Sequence, residues 1–159
     1  MSHIPINHPL RPVYRVLGGL TGIWLLVFGV LGLFQTGGAG WFARGDWTAM
    51  AVPTNRAFAA ISVVAGLVVV VAAFIGRNVD RFVNLWGGVG FLAGGTLLMA
   101  VSHTELNVFN ASVITSVASY VIGLLLLAAG LYGKVGPVSG GASSAPVAAE
   151  PAVREHASV

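Results

Sequence analysis

His103 and Glu105 are the titratable pair whose types and spacing come closest to a chemical site. An imidazole and a carboxylate two positions apart suit a metal ion or a quinone when further ligands join them. His103 lies at the end of an apolar stretch, however, where a lone imidazole is usually solvated. An enzyme or quinone-handling subunit therefore ranks last among the functions that we consider.

Other constellations that carry catalysis are missing from the sequence. The chain has no cysteine, which excludes disulfides, thiolate metal sites and a cysteine nucleophile. Haem held between two helices would need facing histidines inside the apolar stretches, and these contain none. Arg44 and Asp46 form either a small polar site with the neighbouring tryptophans or simply an exposed ion pair. We therefore predict no enzymatic activity and no metal or cofactor.

Composition indicates the class of protein that positions these residues. Of 159 residues, 56% are hydrophobic and 8% are charged, against about 25% charged in a soluble domain. Too little charge is left to cover a water-facing surface, so the chain is predicted to be an integral membrane protein. The net charge of +3 comes from scattered cations without a basic cluster, which argues against nucleic acid as a partner.

Four apolar stretches have about the 20 residues that a helix needs to cross the hydrocarbon core. They cover 13–34, 57–75, 82–101 and 113–132. The first is predicted to remain as a span, because it is longer than the apolar region of a typical signal peptide. The predicted fold is all-α, an integral membrane four-helix bundle over 13–134, preceded by an N-terminal arm over 1–12. Predicted N-caps for the last three spans are Thr54 or Asn55, Asp80 and Asn110.

Arginine and lysine predict the orientation, because these residues are enriched in cytoplasmic loops. Six cations fall on one side of the four spans: Arg11, Arg15, Arg77, Arg81, Lys134 and Arg154. Only Arg44 and Arg56 fall on the other side. We therefore expect a multi-pass protein of the plasma membrane with both termini in the cytoplasm.

The two halves of the chain resemble each other. The second and fourth spans share small residues at a constant offset of 57 positions: Ser62, Gly66 and Gly76 against Ser119, Gly123 and Gly133. Residues 17–20 of the first span likewise resemble residues 86–89 of the third. The pattern indicates a parallel two-plus-two hairpin repeat, related by an axis along the membrane normal.

Small residues at four-residue spacing occur in every span, and such residues let membrane helices approach closely. The third span has more glycines than one packing seam needs. We predict a partner interface formed by five glycines: Gly18, Gly22, Gly87, Gly90 and Gly94. The alternative is that these glycines pack within the bundle itself.

Two segments outside the spans complete the prediction. The loop over 36–55 contains Trp41 and Trp47, which we expect to anchor at headgroup level, with a partner-docking or lid segment as the alternative. Residues 135–159 are predicted to form an extended cytoplasmic tail that orders along another protein. Its apolar contacts would be Val138, Val147 and Val153.

Asparagines before the even-numbered spans (Asn55; Asn107 and Asn110) are followed by glycine-rich helix ends at 66–76 and 123–133. With the span lengths, these features resemble an uncharacterised family of small four-helix membrane proteins from actinobacteria, a domain of unknown function. In that family a histidine accompanies the asparagine, whereas this sequence has arginine and phenylalanine there. The resemblance therefore implies an architecture and a source but no activity.

These observations predict a non-catalytic accessory or membrane-anchor subunit that docks onto and stabilises a larger membrane complex, with a respiratory (electron-transport) complex as the setting. The expected partners are other integral membrane subunits and the lipid bilayer. The prediction depends on the surplus glycine face and on the lack of a buried ionisable group in the spans. The alternative is a small transporter or channel for a neutral solute, with a path lined by five polar residues: Thr21, Ser62, Asn84, Thr96 and Ser119.

Overall fold

A computed structural model describes residues 7–136. It contains four long helices: α1 (Arg11–Gln35), α2 (Arg56–Ile75), α3 (Val79–Val101) and α4 (Val113–Tyr132). All four are long and apolar enough to cross a membrane, and large apolar side chains are exposed on the outside of each. The protein is therefore an all-α, multi-pass membrane bundle, as predicted. The predicted tail contacts Val138, Val147 and Val153 lie outside the described residues.

Helix starts agree with the predicted spans to within three residues, but two of the three predicted caps are wrong. Asn55 does cap α2, since its side chain accepts a hydrogen bond from the Phe58 backbone at 2.9 Å. Asp80 lies inside the first turn of α3, and its carboxylate pairs with another helix instead. Asn110 is also not a cap: Ser112 caps α4, in a reciprocal capping box with Thr115.

Two tight hairpins, α1 with α2 and α3 with α4, make up the bundle, and the seams between the hairpins are looser. Each hairpin crosses at a pair of glycines. A Cβ atom on Gly66 would lie 2.7 Å from the carbonyl oxygen of Gly22, and one on Gly123 would lie 3.0 Å from that of Gly88. Close backbone approach is thus the basis of packing in both hairpins.

The contacts support the two-plus-two repeat and correct its register. In α2 and α4, caps and crossing glycines do recur 57 positions apart, as Gly66 and Gly123 show. In α1 and α3 the equivalent residues are 66 apart: Gly22 matches Gly88, and Gly29 matches Gly95. The predicted match of 17–20 with 86–89 has an offset of 69. It is wrong by about one helical turn, because glycines recur along both helices at nearly that spacing.

The centre of the bundle is filled by apolar side chains from three helices: Leu25, Val69, Ile122 and Leu126. A second cluster joins Phe28 of α1 to Ala49 and Val52 of the connecting loop. These two loop residues belong to a small antiparallel hairpin, β1 (Thr48–Ala49) and β2 (Val52–Pro53). The loop predicted as an interfacial segment therefore folds partly into the bundle end.

The start of α1 and the end of α4 lie together at the opposite end. The Asn7 backbone N–H donates to the carbonyl of Lys134 at 3.0 Å. The side chain of Asn78, in the turn between α2 and α3, exchanges hydrogen bonds with the Val135 backbone at 3.0 and 3.1 Å. We call this end of the bundle the basic end, because most of the cations surround it.

Candidate helix-docking groove

The five glycines of the predicted partner interface divide into two sets. Gly18 and Gly22 are buried inside the bundle. A Cβ atom on Gly18 would lie 2.7 Å from the Asn84 side-chain nitrogen, and one on Gly22 would lie 2.9 Å from Val69. These two glycines serve packing within the chain, so the prediction that they face a partner is corrected.

Gly90 and Gly94 of α3 face open space. Apart from the neighbouring residues and backbone of α3, a Cβ atom on either residue would have no atom within 4 Å in the described part of the chain, whereas most helical glycines of the bundle are crowded. Gly87 is half-buried beside them, and a Cβ there would make ordinary contact with Leu126 at 3.5 Å. The surplus glycines of the third helix therefore do form an unfilled face.

This face is one wall of a groove between α2 and α3, with a volume of about 300 Å³. We call it the α2/α3 groove. Its lining is apolar apart from one serine hydroxyl: Phe58, Ile61, Ala65, Gly87, Gly90, Phe91, Gly94, Gly95, Leu98 and Ser119. The groove exists because α2 and α3 are joined by a short turn yet pack loosely along their lengths. Small residues on α3 then leave the space between them empty.

The loop tryptophans lie at the end of the bundle opposite the basic end. Trp41 is 54% exposed, and the guanidinium of Arg56 lies 4.9 Å from its ring centre, a cation–π distance. The Trp47 ring packs over Gly45, where a Cβ atom would lie 2.8 Å from it. Neither ring lines the α2/α3 groove. Their role as headgroup anchors stays a prediction.

Hydrogen bonds tie this loop to the connection between α3 and α4. The Asn55 amide donates to the Val108 carbonyl at 2.7 Å, and the Asn110 amide donates to the Gly45 carbonyl at 2.8 Å. Both asparagines belong to the set that carried the family resemblance. Asn55 therefore has two roles, as a helix cap and as a link between the two halves.

The titratable residues considered for chemistry are arranged differently from the prediction. Arg44 pairs with Glu105 at 3.0 Å and not with Asp46, because the loop contacts bring the two outer connections together. His103 is exposed. Within residues 7–136, no three His, Asp or Glu side chains cluster closely enough to share a metal ion.

A buried polar cluster at the basic end was not predicted. The side chain of Asp80 is 3% exposed, and its Oδ2 atom lies 3.7 Å from Nη2 of Arg11. In the described structure, three buried atoms beside this pair have no hydrogen-bond partner: Oδ1 of Asp80, Nε of Arg81 and Oδ1 of Asn84. Asp80 precedes the predicted third span (82–101), so this buried carboxylate lies outside the stretches for which no buried ionisable group was expected. The available signal was the spacing of Asp80 and Asn84, which places both on one face of α3.

The polar residues proposed to line a solute path are not joined into one. Four hydroxyl groups donate to the carbonyl four residues earlier in their own helix: Thr21, Ser62, Thr96 and Ser119. Of the five residues, only Thr96 forms a side-chain hydrogen bond to another helix within 7–136: its hydroxyl and that of Tyr120 are 3.2 Å apart on the exposed surface. The apolar cluster of Leu25, Val69, Ile122 and Leu126 lies at the centre of the bundle. A pocket of about 430 Å³ between α1 and α4 includes Thr21, but the rest of its lining is apolar.

Fold and site together define a four-span α-helical membrane protein with an open groove beside Gly90 and Gly94 of α3. No protein family, no curated protein and no solved structure matches the chain. This result is consistent with the resemblance to an uncharacterised family.

Proposed function

We propose that this protein is a non-catalytic accessory or membrane-anchor subunit of a larger membrane complex. The α2/α3 groove is the observation that carries the proposal. Lipid provides no hydrophobic drive for helix association, so close approach between small residues is the main source of contact between membrane helices. Gly90 and Gly94 offer such a surface, and none of the four described helices occupies it.

A transmembrane helix of another subunit is the occupant that this groove fits best. Its walls are apolar, and its floor is backbone that an incoming helix can approach closely. Further features of the proposal are the plasma membrane as its location and the basic end on the cytoplasmic side, in agreement with the distribution of arginine and lysine. A respiratory (electron-transport) complex is the proposed setting.

Native purification in a mild detergent tests this function. The chain has a mass of 16.3 kDa, and we expect it to elute in a much larger assembly that contains other integral membrane proteins and electron-transfer activity. Elution as a lone monomer would contradict the subunit function. Elution in an assembly without redox activity would contradict the respiratory setting only.

The alternative function, a small transporter or channel for a neutral solute, has less support. A pore needs a continuous polar or hydrated path. The candidate hydroxyl groups donate to carbonyls of their own helices, and the bundle centre is lined by apolar side chains. A flux assay in proteoliposomes with the purified chain should show no uptake of neutral solutes above that of empty vesicles.

A further inference from the structure

Charge is distributed very unevenly between the two ends of the bundle. The basic end has five cations within the described residues: Arg11, Arg15, Arg77, Arg81 and Lys134. One acid, Asp80, opposes them there, which leaves a net charge of +4. At the other end, two cations face two acids: Arg44 and Arg56 against Asp46 and Glu105. Among residues 7–136, the excess positive charge available for an anionic ligand is therefore at the basic end.

Arg15 is held in place at the C-terminal end of α2. Its Nε atom donates to the Ala73 carbonyl at 2.6 Å, and one Nη donates to the Phe74 carbonyl at 2.9 Å. The negative end of the helix dipole favours a cation at this point. Gly76 makes room for the guanidinium, since a Cβ atom there would lie 2.8 Å from Cζ of Arg15. The charged group is thus fixed by the backbone, before any ligand binds.

The Arg15 guanidinium has N–H groups that its hydrogen bonds to α2 do not use. A guanidinium has five N–H groups, and the two bonds to α2 use two of them, which leaves three. In the part of the chain that the structure describes, Arg15 forms no ion pair, because the two ion pairs found there belong to Arg11 and Arg44. Arg11 lies beside it, but Asp80 already balances the charge of Arg11. Arg15 is therefore a cation held in place by the backbone whose charge no carboxylate of the described residues balances.

An apolar groove leads away from these two arginines between α1 and α2. Its volume is about 470 Å³, within the range of about 300 to 1,000 Å³ that ligand sites occupy. Beyond the arginines, the walls are apolar: Pro12, Val16, Gly19, Leu20, Ile23, Val70, Ala73 and Phe74. We call this the arginine groove. It is charged at one end and apolar over the rest of its length.

We propose that the arginine groove binds an anionic phospholipid. The phosphate accepts hydrogen bonds from the free donors of Arg15, with Arg11 adding a weaker attraction. One acyl chain lies along α1 past Gly19 towards Ile23. Charge-assisted bonds between arginine and phosphate are among the strongest polar contacts, and basic pockets between transmembrane helices are suited to anionic headgroups. The apolar walls favour a lipid over a small soluble anion, which would leave them uncovered.

Native mass spectrometry tests this proposal on the full chain. The protein is extracted from nanodiscs with equal parts of phosphatidylcholine and phosphatidylglycerol, and the bound lipids are counted. We expect phosphatidylglycerol to be retained in preference. The Arg15→Gln variant should lose this preference by about tenfold, the size expected when one charge-assisted hydrogen bond is lost.

Two further variants distinguish a specific lipid site from a general attraction of anionic lipid to the positively charged surface. Arg77→Gln removes an exposed cation from the same end that does not line the groove, so it should leave the preference unchanged. Gly19→Leu fills the groove without changing any charge, so it should lower retention. Equal retention of the two lipids by the wild type would overturn the proposal, as would equal losses in Arg15→Gln and Arg77→Gln. Displacement of the lipid by inorganic phosphate alone would show a soluble-anion site and would also overturn it.

Discussion

Arg11 and Asp80 join the start of α1 to the start of α3 through an ion pair, with Nη2 of Arg11 at 3.7 Å from Oδ2 of Asp80. The arginine side chain is 23% exposed and the aspartate 3% exposed. Arg11 also donates to the carbonyls of Gly133 and Arg77, at 3.2 and 2.9 Å. One side chain therefore links the first turn of α1 to α3, to the α2–α3 turn and to the end of α4.

The unequal burial of this pair predicts unequal effects of mutation. Arg11→Gln leaves a buried carboxylate without its cation and should lower the free energy of unfolding by about 2 kcal/mol. Asp80→Asn removes the buried charge, and the partly exposed arginine can turn to water, so its cost should be about 1 kcal/mol or less. Thermal unfolding of both variants in detergent measures the difference. A larger loss for Asp80→Asn would contradict this view of the cluster.

The glycines predict a contrast between crowded and open positions. A Cβ atom on Gly66 would meet the backbone of α1 at 2.7 Å, and the backbone cannot easily yield. Gly66→Ala should therefore destabilise the protein by about 1 to 3 kcal/mol. Gly90→Ala meets open space and removes a flexible residue from a helix, so it should be neutral or stabilising by up to about 1 kcal/mol. Unfolding in increasing denaturant compares the two, and similar losses would argue against the crossing geometry.

The double role of Asn55 can be separated by two substitutions. Asn55→Ala removes both the cap of α2 and the hydrogen bond to Val108, and should cost about 2 kcal/mol or more. Asn55→Ser retains a capping oxygen but cannot reach Val108, so its cost should be about half as large. Thermal melts followed by circular dichroism test the order. Equal costs would mean that the contact with Val108 contributes nothing to stability.

The ion pair between Arg44 and Glu105 should matter little. Glu105 is almost fully exposed and Arg44 is about half exposed, with side-chain values of 96% and 47%. Exposed pairs contribute about 0 to 1 kcal/mol, so Glu105→Gln should change the unfolding midpoint only slightly. His103→Ala, which changes an exposed residue two positions earlier, should likewise leave the activity of the assembled complex unchanged. Loss of complex activity in either variant would restore the case for a ligand site here.

The four helices could be predicted from the sequence because their signal is local. A run of some 20 apolar residues without an acid or a lysine has few stable structures in a membrane other than a helix. The β hairpin at Ala49 and Val52 was not predicted, since two residues per strand show no alternating pattern. Asp80 was assigned as a cap because its position near a helix start fits that role. Its burial against Arg11 depends on how α1 meets α3, which spacing along the chain does not reveal.

The same limit applies to the glycines. Their spacing predicted close packing and a surplus on the third span, and α3 does have an unfilled face. Spacing alone did not show that Gly18 and Gly22 face inward while Gly90 and Gly94 face outward. The direction in which each glycine faces depends on how the helices pack. α1 packs closely against α2, whereas α2 and α3 pack loosely against each other.

Site-specific photo-cross-linking in intact membranes shows whether a helix of another subunit occupies the α2/α3 groove. A photoreactive residue replaces Ile61, which is 53% exposed and lines the groove, or Val64, which is 62% exposed on the same helix and does not line it. We predict a discrete adduct with a different integral membrane protein from position 61, and only diffuse lipid labelling from position 64. No protein adduct from position 61, equal adducts from both positions, or an adduct only with a second copy of this chain would mean that the groove does not bind a helix of another subunit.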